Sequence, residues 1–267
     1  MLQKNWQNQL HIGTSGWNYP DWEGVLYPER LRSIDQFAFY AQRYSTVEIN
    51  YTFHHIPKVS TVEAWEQVTP PAFRFTLKVH QTITREFATQ EADQDWEKFI
   101  ASSLVLKDKL AVILFQFPAT FTATPERVEQ FKNWIGPRRH KHSELCFAFE
   151  FRHPSWLNDV ITRWFAEERL TWVIAQSSMY PTLSAVTSQD VYLRLHGPGK
   201  LYASAYTQAQ LEAYRDQILD WVNQEKRVFV YFNNTMQAHA VRNSRTLAEL
   251  ITGHEEAEYL KNADLPF

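Results

Sequence analysis

Residues 146–156 read Cys146-Phe-Ala-Phe-Glu-Phe-Arg-His-Pro-Ser-Trp156, and they indicate both a strand and a functional site. Three phenylalanines alternate with other residues, so a β-strand here carries aromatic rings on one face. The opposite face becomes charged where it ends, at Glu150 and Arg152. Pro154 terminates the strand, and Ser155 is a suitable N-cap for a helix that begins at Trp156. A carboxylate and a guanidinium before such a turn indicate a ligand site, because α/β proteins bind ligands at the carboxyl ends of their strands.

The same strand pattern recurs along the chain and alternates with helix-like runs. Strands are predicted at Leu10–Thr14, Thr46–Asn50, Phe73–His80, Ala111–Phe117, Leu145–Arg152, Thr171–Gln176, Asp190–His196 and Val228–Asn233. Alternating strands and helices are typical of a parallel sheet, and eight such units in 267 residues favour a closed α/β barrel, the (β/α)8 TIM type. Residues 177–189 show no helical pattern, so the sixth helix is predicted to be short or missing. No linker divides the chain, which predicts a single domain over residues 1–267.

An open doubly wound sheet is the alternative architecture. Its nucleotide-binding form carries Gly-x-Gly-x-x-Gly after the first strand, whereas this chain has only Gly13-Thr-Ser-Gly16 there. The barrel is therefore the preferred prediction.

Four local signals predict where helices begin. Three are capping boxes, at Ser33-Ile-Asp-Gln36, Ser60-Thr-Val-Glu63 and Thr207-Gln-Ala-Gln210. The fourth is Thr124, an N-cap followed by Pro125 at the first helical position.

The strands carry apolar residues on one face and polar residues on the other, with the polar ones near the carboxyl end. The apolar face is predicted to pack against the helices. In a barrel the polar face points inward, and its last residues surround the mouth, where catalytic residues of this fold lie. The predicted ring contains Glu48, Asn50, Lys78, His80, Gln116, Glu150, Arg152, Arg194, His196 and Asn233.

This ring combines acid–base groups with cations. Glu48 and Glu150 come from the second and fifth strands and face each other across the mouth, so they and His196 are the candidate catalytic residues. The three cations are suited to phosphate or carboxylate oxygens. The candidate substrate-binding residues are Asn50, Lys78, His80, Gln116, Arg152, Arg194 and Asn233, together with Trp17 and Trp156, whose rings could stack on a sugar or a base. A purely structural ion-pair network is the alternative, but burying so many charges is costly unless a ligand uses them.

Composition and charge argue against several other classes of protein. The formal net charge is -3, so no overall field attracts nucleic acid, and the basic run Pro137–His142 is predicted to be a solvated loop. No apolar run approaches the ~20 residues of a membrane span. Met1–Trp6 lacks the apolar core of a signal peptide, which predicts a cytoplasmic protein.

A metal site is possible in principle but is not predicted. His80, His196, Glu48 and Glu150 are metal-ligand types, yet three cations in the same ring would repel a divalent ion. No pair of histidines stands at ligand spacing within a predicted helix. Neither a metal nor a cofactor is therefore predicted.

Motifs spread over most of the chain match one known family. They are Gly13-Thr-Ser-Gly-Trp17 with Trp22 and Tyr27-Pro28, Thr46-Val-Glu-Ile-Asn50 with Thr52-Phe53 and Pro57, Phe73-x-Phe75 with Lys78, Leu114-Phe-Gln-Phe-Pro118, Glu150-Phe-Arg-His-Pro-Ser-Trp156, Tyr192-x-Arg-x-His-Gly197 and Phe232-Asn-Asn234. The chain thereby resembles the YecE-like family (domain of unknown function 72), which implies a TIM-type barrel and no assigned reaction. It departs from the family pattern at Gln176, where an acidic residue is usual, and at Gln237-Ala238, where glycine is common.

The function predicted from these observations is an enzyme that uses acid–base chemistry on a small anionic or polyhydroxylated substrate. The anion would be a phosphorylated or carboxylated compound bound at the carboxyl ends of the strands. Two alternatives remain open: a metal-dependent phosphodiesterase or nucleic-acid processing barrel, and a non-catalytic ligand-binding or interaction barrel. The sequence does not predict the oligomeric state.

Overall fold

The computed structural model describes residues 9–253. Met1–Trp6 and both ends of the predicted 1–267 domain lie outside these residues. Eight parallel strands close into a barrel in sequence order, and the first strand pairs with the last. The strands are β1 (Leu10–Ser15), β2 (Thr46–Ile49), β3 (Arg74–Lys78), β4 (Leu110–Phe117), β5 (Cys146–Phe151), β6 (Thr171–Gln176), β7 (Asp190–Leu195) and β8 (Arg227–Phe232). The (β/α)8 TIM-type barrel is confirmed.

Helices surround the barrel, and in the described residues at least one helix follows every strand except β6. They are α1 (Gln36–Ala41), α2 (Tyr51–His54), α3 (Val59–Val68), α4 (Gln81–Arg85), α5 (Gln90–Ser103), α6 (Pro125–Lys141), α7 (Asp159–Glu167), α8 (Gln208–Asn223) and α9 (His239–Thr252). No helix lies between β6 and β7, so the missing sixth helix is confirmed. The short helices α2 and α4, which directly follow β2 and β3, were not predicted from the sequence.

Two of the four helix-start signals act as predicted. The Thr207 capping box forms completely at α8, and the Thr124 hydroxyl accepts a hydrogen bond from the Arg127 backbone N–H at α6. The boxes at Ser33 and Ser60 are wrong. Helix α1 begins only at Gln36, and α3 begins at Val59, which leaves Ser60 inside the first turn where it cannot cap.

The predicted helix start at Trp156 is also wrong. Residues Pro154–Trp156 form a single 3-10 turn, and α7 begins at Asp159 with Asn158 as its N-cap. The Ser155 hydroxyl is used elsewhere, because it accepts a hydrogen bond of 2.8 Å from the Ala123 backbone N–H. Ser155 therefore joins the loops that follow β4 and β5.

The basic run Pro137–His142 is not a loop. Its residues up to Lys141 form the last turn of α6, where positive charge is favoured by the helix dipole. The Arg138 guanidinium lies 3.7 Å from the ring centroid of Trp134 and 2.7 Å from a carboxylate oxygen of Asp93. Arg138 thus contributes to packing between helices α6 and α5.

The barrel contains two apolar layers, as the strand alternation predicts. The outer layer packs the strands against the helices and includes stacked rings, such as Phe117 on Phe151 at 5.3 Å. The smaller inner layer fills the barrel beneath its mouth with residues such as Leu114, Ala148 and Tyr231. These packed side chains fill the barrel interior, and the polar ring lies directly above them.

The loop between β8 and α9 holds two consecutive residues in the left-handed region, Gln237 (φ 53°) and Ala238 (φ 55°). Such a conformation costs a residue with a side chain about 1 kcal/mol or more, whereas glycine adopts it freely. Gln237 is exposed, so Gln237→Gly is expected to raise the free energy of unfolding by roughly 0.5–1 kcal/mol. Urea denaturation measures the change.

The matched control for this substitution is Gln217→Gly. Gln217 is also exposed but lies in the middle of α8, where glycine is expected to lower the free energy of unfolding by about 1 kcal/mol. Equal destabilisation by both substitutions would show that the left-handed backbone at Gln237 carries no strain.

Candidate functional site

A cavity of about 580 Å³ opens at the carboxyl ends of the strands. Most of the predicted ring residues line it: Asn50, Lys78, Gln116, Arg152, Arg194 and Asn233. With Arg85, the lining contains four cationic side chains, and none of the lining residues is an aspartate or a glutamate. The cavity therefore presents positive charge and neutral amides to a ligand, with its carboxylates behind that surface.

Three basic side chains, from β3, from β7 and from the residue after β5, converge on one amide oxygen. Gln116 Oε1 accepts hydrogen bonds from Lys78 Nζ at 3.0 Å, from an Arg152 guanidinium nitrogen at 3.0 Å and from an Arg194 guanidinium nitrogen at 2.9 Å. A neutral carbonyl oxygen only partly offsets three positive charges. Three hydrogen-bond donors therefore surround the single acceptor oxygen Gln116 Oε1.

Arg194 connects the two predicted catalytic carboxylates. Its guanidinium donates to both oxygens of Glu48, the shortest contact being 2.7 Å, and to Glu150 Oε2 at 2.7 Å. All three side chains are at most 2% exposed. The two glutamates do face each other across the mouth, but a guanidinium lies between them.

Both carboxylates are held in the ionised form. Burial acts to raise the pKa of Glu48, but the charge and hydrogen bonds of Arg194, with help from the Tyr192 hydroxyl at 2.7 Å, bring that pKa below its usual value. Burial likewise opposes ionisation of Glu150, yet Arg194, His196 and Arg152 hold its pKa well below the usual range. A carboxylate in this state is a weak base at neutral pH.

For Lys78, in contrast, the surroundings disfavour the charged form. It is 7% exposed, and its Nζ contacts Gln116 and lies 3.9 Å from the ring centroid of Phe53. No ion pair joins it to a carboxylate anywhere in residues 9–253. Burial, followed by repulsion from Arg194, lowers the pKa of Lys78 to about 7. Of the cavity-lining groups with a shifted pKa, Lys78 is the one suited to exchange a proton near neutrality.

His196 lies beneath the cavity wall. It is fully buried, and its Nδ1 is 3.0 Å from the side-chain nitrogen of Asn233, which donates to it. Its Nε2 lies 3.6 Å from Glu150 Oε2. Burial lowers the pKa of His196 despite the nearby Glu150, so the neutral imidazole is favoured. His196 therefore supports Asn233 and Glu150 from behind.

Three of the predicted substrate-binding residues, His80, Trp156 and Trp17, do not line the cavity. His80 caps helix α4 and faces Asp95, with 3.5 Å between His80 Nδ1 and Asp95 Oδ2. Trp156 is fully buried, stacks on Phe151 at 4.4 Å and donates its indole N–H to a backbone carbonyl. Trp17 packs on Phe37 at 4.4 Å. The structure thus places both tryptophans in packing layers and away from the cavity.

Several cavity residues were missed by sequence reasoning. Arg85 lies at the end of the short helix α4, and Phe53 lies in the short helix α2. Tyr180 lies in the connection without a helix, where its ring is 4.2 Å from the Arg152 guanidinium carbon. Tyr202 accepts a hydrogen bond of 3.3 Å from Arg152. The only sequence signal for these cavity residues was their aromatic or basic character in segments that follow strands.

Residues 9–253 contain neither a cluster of metal-ligand side chains nor a membrane-spanning helix. No group of three or more His, Cys, Asp or Glu side chains in this part of the chain is placed to hold a metal ion. None of the helices in the same residues is long and apolar enough to span a bilayer.

Comparisons with known proteins place this fold in context. Residues 11–266 match the family model described as protein of unknown function DUF72. The UPF0759 protein YunF of Bacillus subtilis is 27% identical over 277 residues, which cover 91% of this chain and 94% of that protein. The UPF0759 protein YecE of Escherichia coli K12 is 26% identical over 145 residues, which cover 54% of this chain and 49% of that protein.

Two solved structures of DUF72 family proteins share the fold. The Thermotoga maritima protein TM1631 has a TM-score of 0.78 and 24% identity, with 91% of this chain and 99% of that chain covered. The Enterococcus faecalis protein EF0366 has a TM-score of 0.77 and 23% identity, with coverages of 91% and 95%.

Proposed function

The chain belongs to the DUF72 family, and on that premise we propose that it is an enzyme acting by acid–base chemistry on a small anionic substrate. The substrate carries a phosphate or carboxylate group and binds in the cavity at the carboxyl ends of the strands. The observation that carries this proposal is the convergence of Lys78, Arg152 and Arg194 on one neutral oxygen, in a cavity lined by no carboxylate.

The charge balance supports an anion as the ligand. Three guanidinium groups line the cavity, and the two buried glutamates behind them offset at most two of those charges. Lys78 adds a further positive charge when it is protonated. The chain as a whole has a formal net charge of -3, so this positive region differs from the surrounding protein. A low-dielectric cleft strengthens such a local field and concentrates anions there.

The contacts favour a division of roles among the ring residues. Arg85 and Arg152 bind the anionic group, while Asn50 and Asn233 orient other polar groups of the substrate. Lys78 exchanges the proton, because its pKa of about 7 suits that role. The carboxylates Glu48 and Glu150 hold the guanidinium groups of Arg194 and Arg152 in position, and the buried imidazole of His196 holds the Asn233 side chain.

Anionic compounds are expected to raise the melting temperature of the protein, and neutral compounds of equal size much less. Thermal denaturation with 3-phosphoglycerate and citrate, set against glycerol and glucose, measures this difference. Bound anions are then followed by NMR for chemical conversion. Binding without conversion of any bound anion would favour the non-catalytic barrel over the enzyme.

The variants Arg85→Ala and Arg163→Ala form a matched pair for this experiment. Both arginines are exposed, but only Arg85 lines the cavity, so only Arg85→Ala is expected to reduce the thermal shift. A panel in which neutral or cationic compounds alone stabilise the protein would contradict the anion site.

A further inference from the structure

Within residues 9–253, Lys78 has no ion-pair partner of the kind that usually accompanies a buried lysine. Lys109 provides the comparison within the same chain: its Nζ donates to two backbone carbonyls and to the Thr69 hydroxyl, and it lies 3.5 Å from a Glu66 carboxylate oxygen. Among the described residues, Lys78 Nζ has the single acceptor Gln116 Oε1, which it shares with two guanidinium groups. The surroundings of Lys78 therefore favour a neutral amine over an ammonium ion.

Position makes this amine available for chemistry. Lys78 is the last residue of β3 and lines the cavity, so its nitrogen can meet a ligand bound at the mouth. A buried lysine beside other cations keeps a free lone pair at neutral pH, which is the property that nucleophilic lysines require. Proton exchange alone does not need a primary amine in this position.

We propose that Lys78 is a nucleophile that forms a Schiff base with the carbonyl group of an anionic aldehyde or ketone. This proposal rests on the proposed function and narrows its substrate class to carbonyl compounds that carry a carboxylate or phosphate.

The Lys78 lone pair attacks the carbonyl carbon, and the carbonyl oxygen takes up a proton to give a carbinolamine. The C–O bond then breaks, the oxygen leaves with a second proton as water, and a C=N bond forms. One of these two protons comes from the amine and one from the medium, so the iminium carries one positive charge, and addition of water reverses the sequence.

The remaining groups of the cavity fit this step. Arg85 and Arg152 are positioned to hold the anionic end of such a substrate. The side-chain oxygen of Asn50 is buried and receives no hydrogen bond from residues 9–253. This oxygen can accept a hydrogen bond from the hydroxyl of the carbinolamine. A carboxylate or a fully ionised phosphate would not provide such a donor.

Reductive trapping with glyoxylate and sodium cyanoborohydride tests the proposal. At neutral pH and low glyoxylate concentration, peptide mapping by mass spectrometry is expected to find one carboxymethyl group, on Lys78. Labelling of Lys78 is expected to be on the order of 100-fold faster than that of Lys109, because Lys109 lies outside the cavity and its nitrogen is held by three hydrogen-bond acceptors. The rate should rise with pH to a plateau above about 7, since burial and repulsion from Arg194 and Arg152, partly offset by Glu150 and Glu48, lower the pKa of Lys78 to about 7.

Two controls test the roles of the amine and of the ligand charge: the variant Lys78→Arg and the neutral aldehyde propanal. Lys78→Arg retains a cation without a nucleophilic amine and is expected to remove the fast labelling. Propanal, which has no charge, is expected to label Lys78 at least about tenfold more slowly than glyoxylate. Labelling spread over surface lysines, or equal labelling by propanal, would overturn the proposal. If phosphate-bearing anions raise the melting temperature but Lys78 is not labelled, the Schiff base is wrong and the anion site stands; if neither occurs, both are wrong.

Discussion

Replacing Arg194 with methionine is expected to lower the free energy of unfolding by about 3–5 kcal/mol. The guanidinium is 1% exposed and is the shared partner of Glu48 and Glu150. Its removal leaves two buried carboxylates without their main counter-charge, and desolvated anions are costly. Urea denaturation followed by circular dichroism, near neutral pH, measures the loss.

The matched control is Arg85→Met. Arg85 lines the same cavity but is exposed, so its replacement is expected to change the free energy of unfolding by less than about 0.5 kcal/mol. If Arg194→Met prevents folding altogether, the triple variant with Glu48→Gln and Glu150→Gln is expected to restore a folded barrel, because no unpaired anion remains. A single variant as stable as the wild type would show that Arg194 does not stabilise the two carboxylates.

Replacing Lys78 with methionine is expected to have the opposite effect on stability. Near neutral pH the substitution should raise the free energy of unfolding by on the order of 2 kcal/mol, because it removes a buried amine whose protonated form has no ion pair in residues 9–253 and which the unfolded chain protonates more readily. The variant should also lose the function of the site. Gain of stability with loss of function is expected where a charge is retained for chemistry.

Lys109→Met is the control for the predicted increase in the free energy of unfolding. Lys109 is also largely buried, but its ammonium group has several acceptors, so its replacement is expected to lower the free energy of unfolding by about 1–3 kcal/mol. Opposite signs for the two lysines would show that the effect depends on partners and not on burial. If Lys78→Met destabilises the barrel as Lys109→Met does, Lys78 is a structural cation.

The Lys78 effect should also depend on pH in a defined direction. The pKa of Lys78 is about 7 in the folded protein and near 10.5 when unfolded, so between these values the unfolded chain binds more protons. The free energy of unfolding of the wild type therefore rises with pH across this window. The advantage of Lys78→Met should shrink as pH increases from about 7 towards 10.5. An advantage that stays constant would contradict the lowered pKa.

Strand alternation explains why so much of the site could be predicted. The period of two dictates which residues face inward, so Glu48, Lys78, Gln116, Glu150 and Arg194 could be assigned to the barrel interior without knowledge of any contact. Alternation cannot show which inward charges meet. That depends on the register around the closed barrel, which inserts Arg194 of β7 between carboxylates of β2 and β5.

The errors at the aromatic residues have a different origin. Trp156 follows a strand end in sequence, but the 3-10 turn Pro154–Trp156 returns the ring to the layer between strands and helices. Arg85 and Tyr180 were missed because they lie in a short helix and an irregular connection, which have no periodicity to predict their direction. Loop conformation, which local sequence specifies weakly, decides these positions.

The connection that replaces the sixth helix has a consequence for how the cavity opens. No backbone N–H in residues 178–188 is hydrogen-bonded to a backbone carbonyl of the described chain, whereas a helix would lock each one. The segment is tied down by side chains, through Tyr180 on Arg152 and the Trp172 indole N–H on the Leu183 carbonyl. Thr187 is hydrogen-bonded to the Trp172 backbone N–H of β6, but residues 178–186 can open as a local unit without breaking a backbone hydrogen bond of β6 or β7. Their amide protons should therefore exchange with solvent far faster than those of the flanking strands. One wall of the cavity is then a low-stability segment attached to a rigid barrel, and a ligand that contacts Tyr180 would slow this exchange.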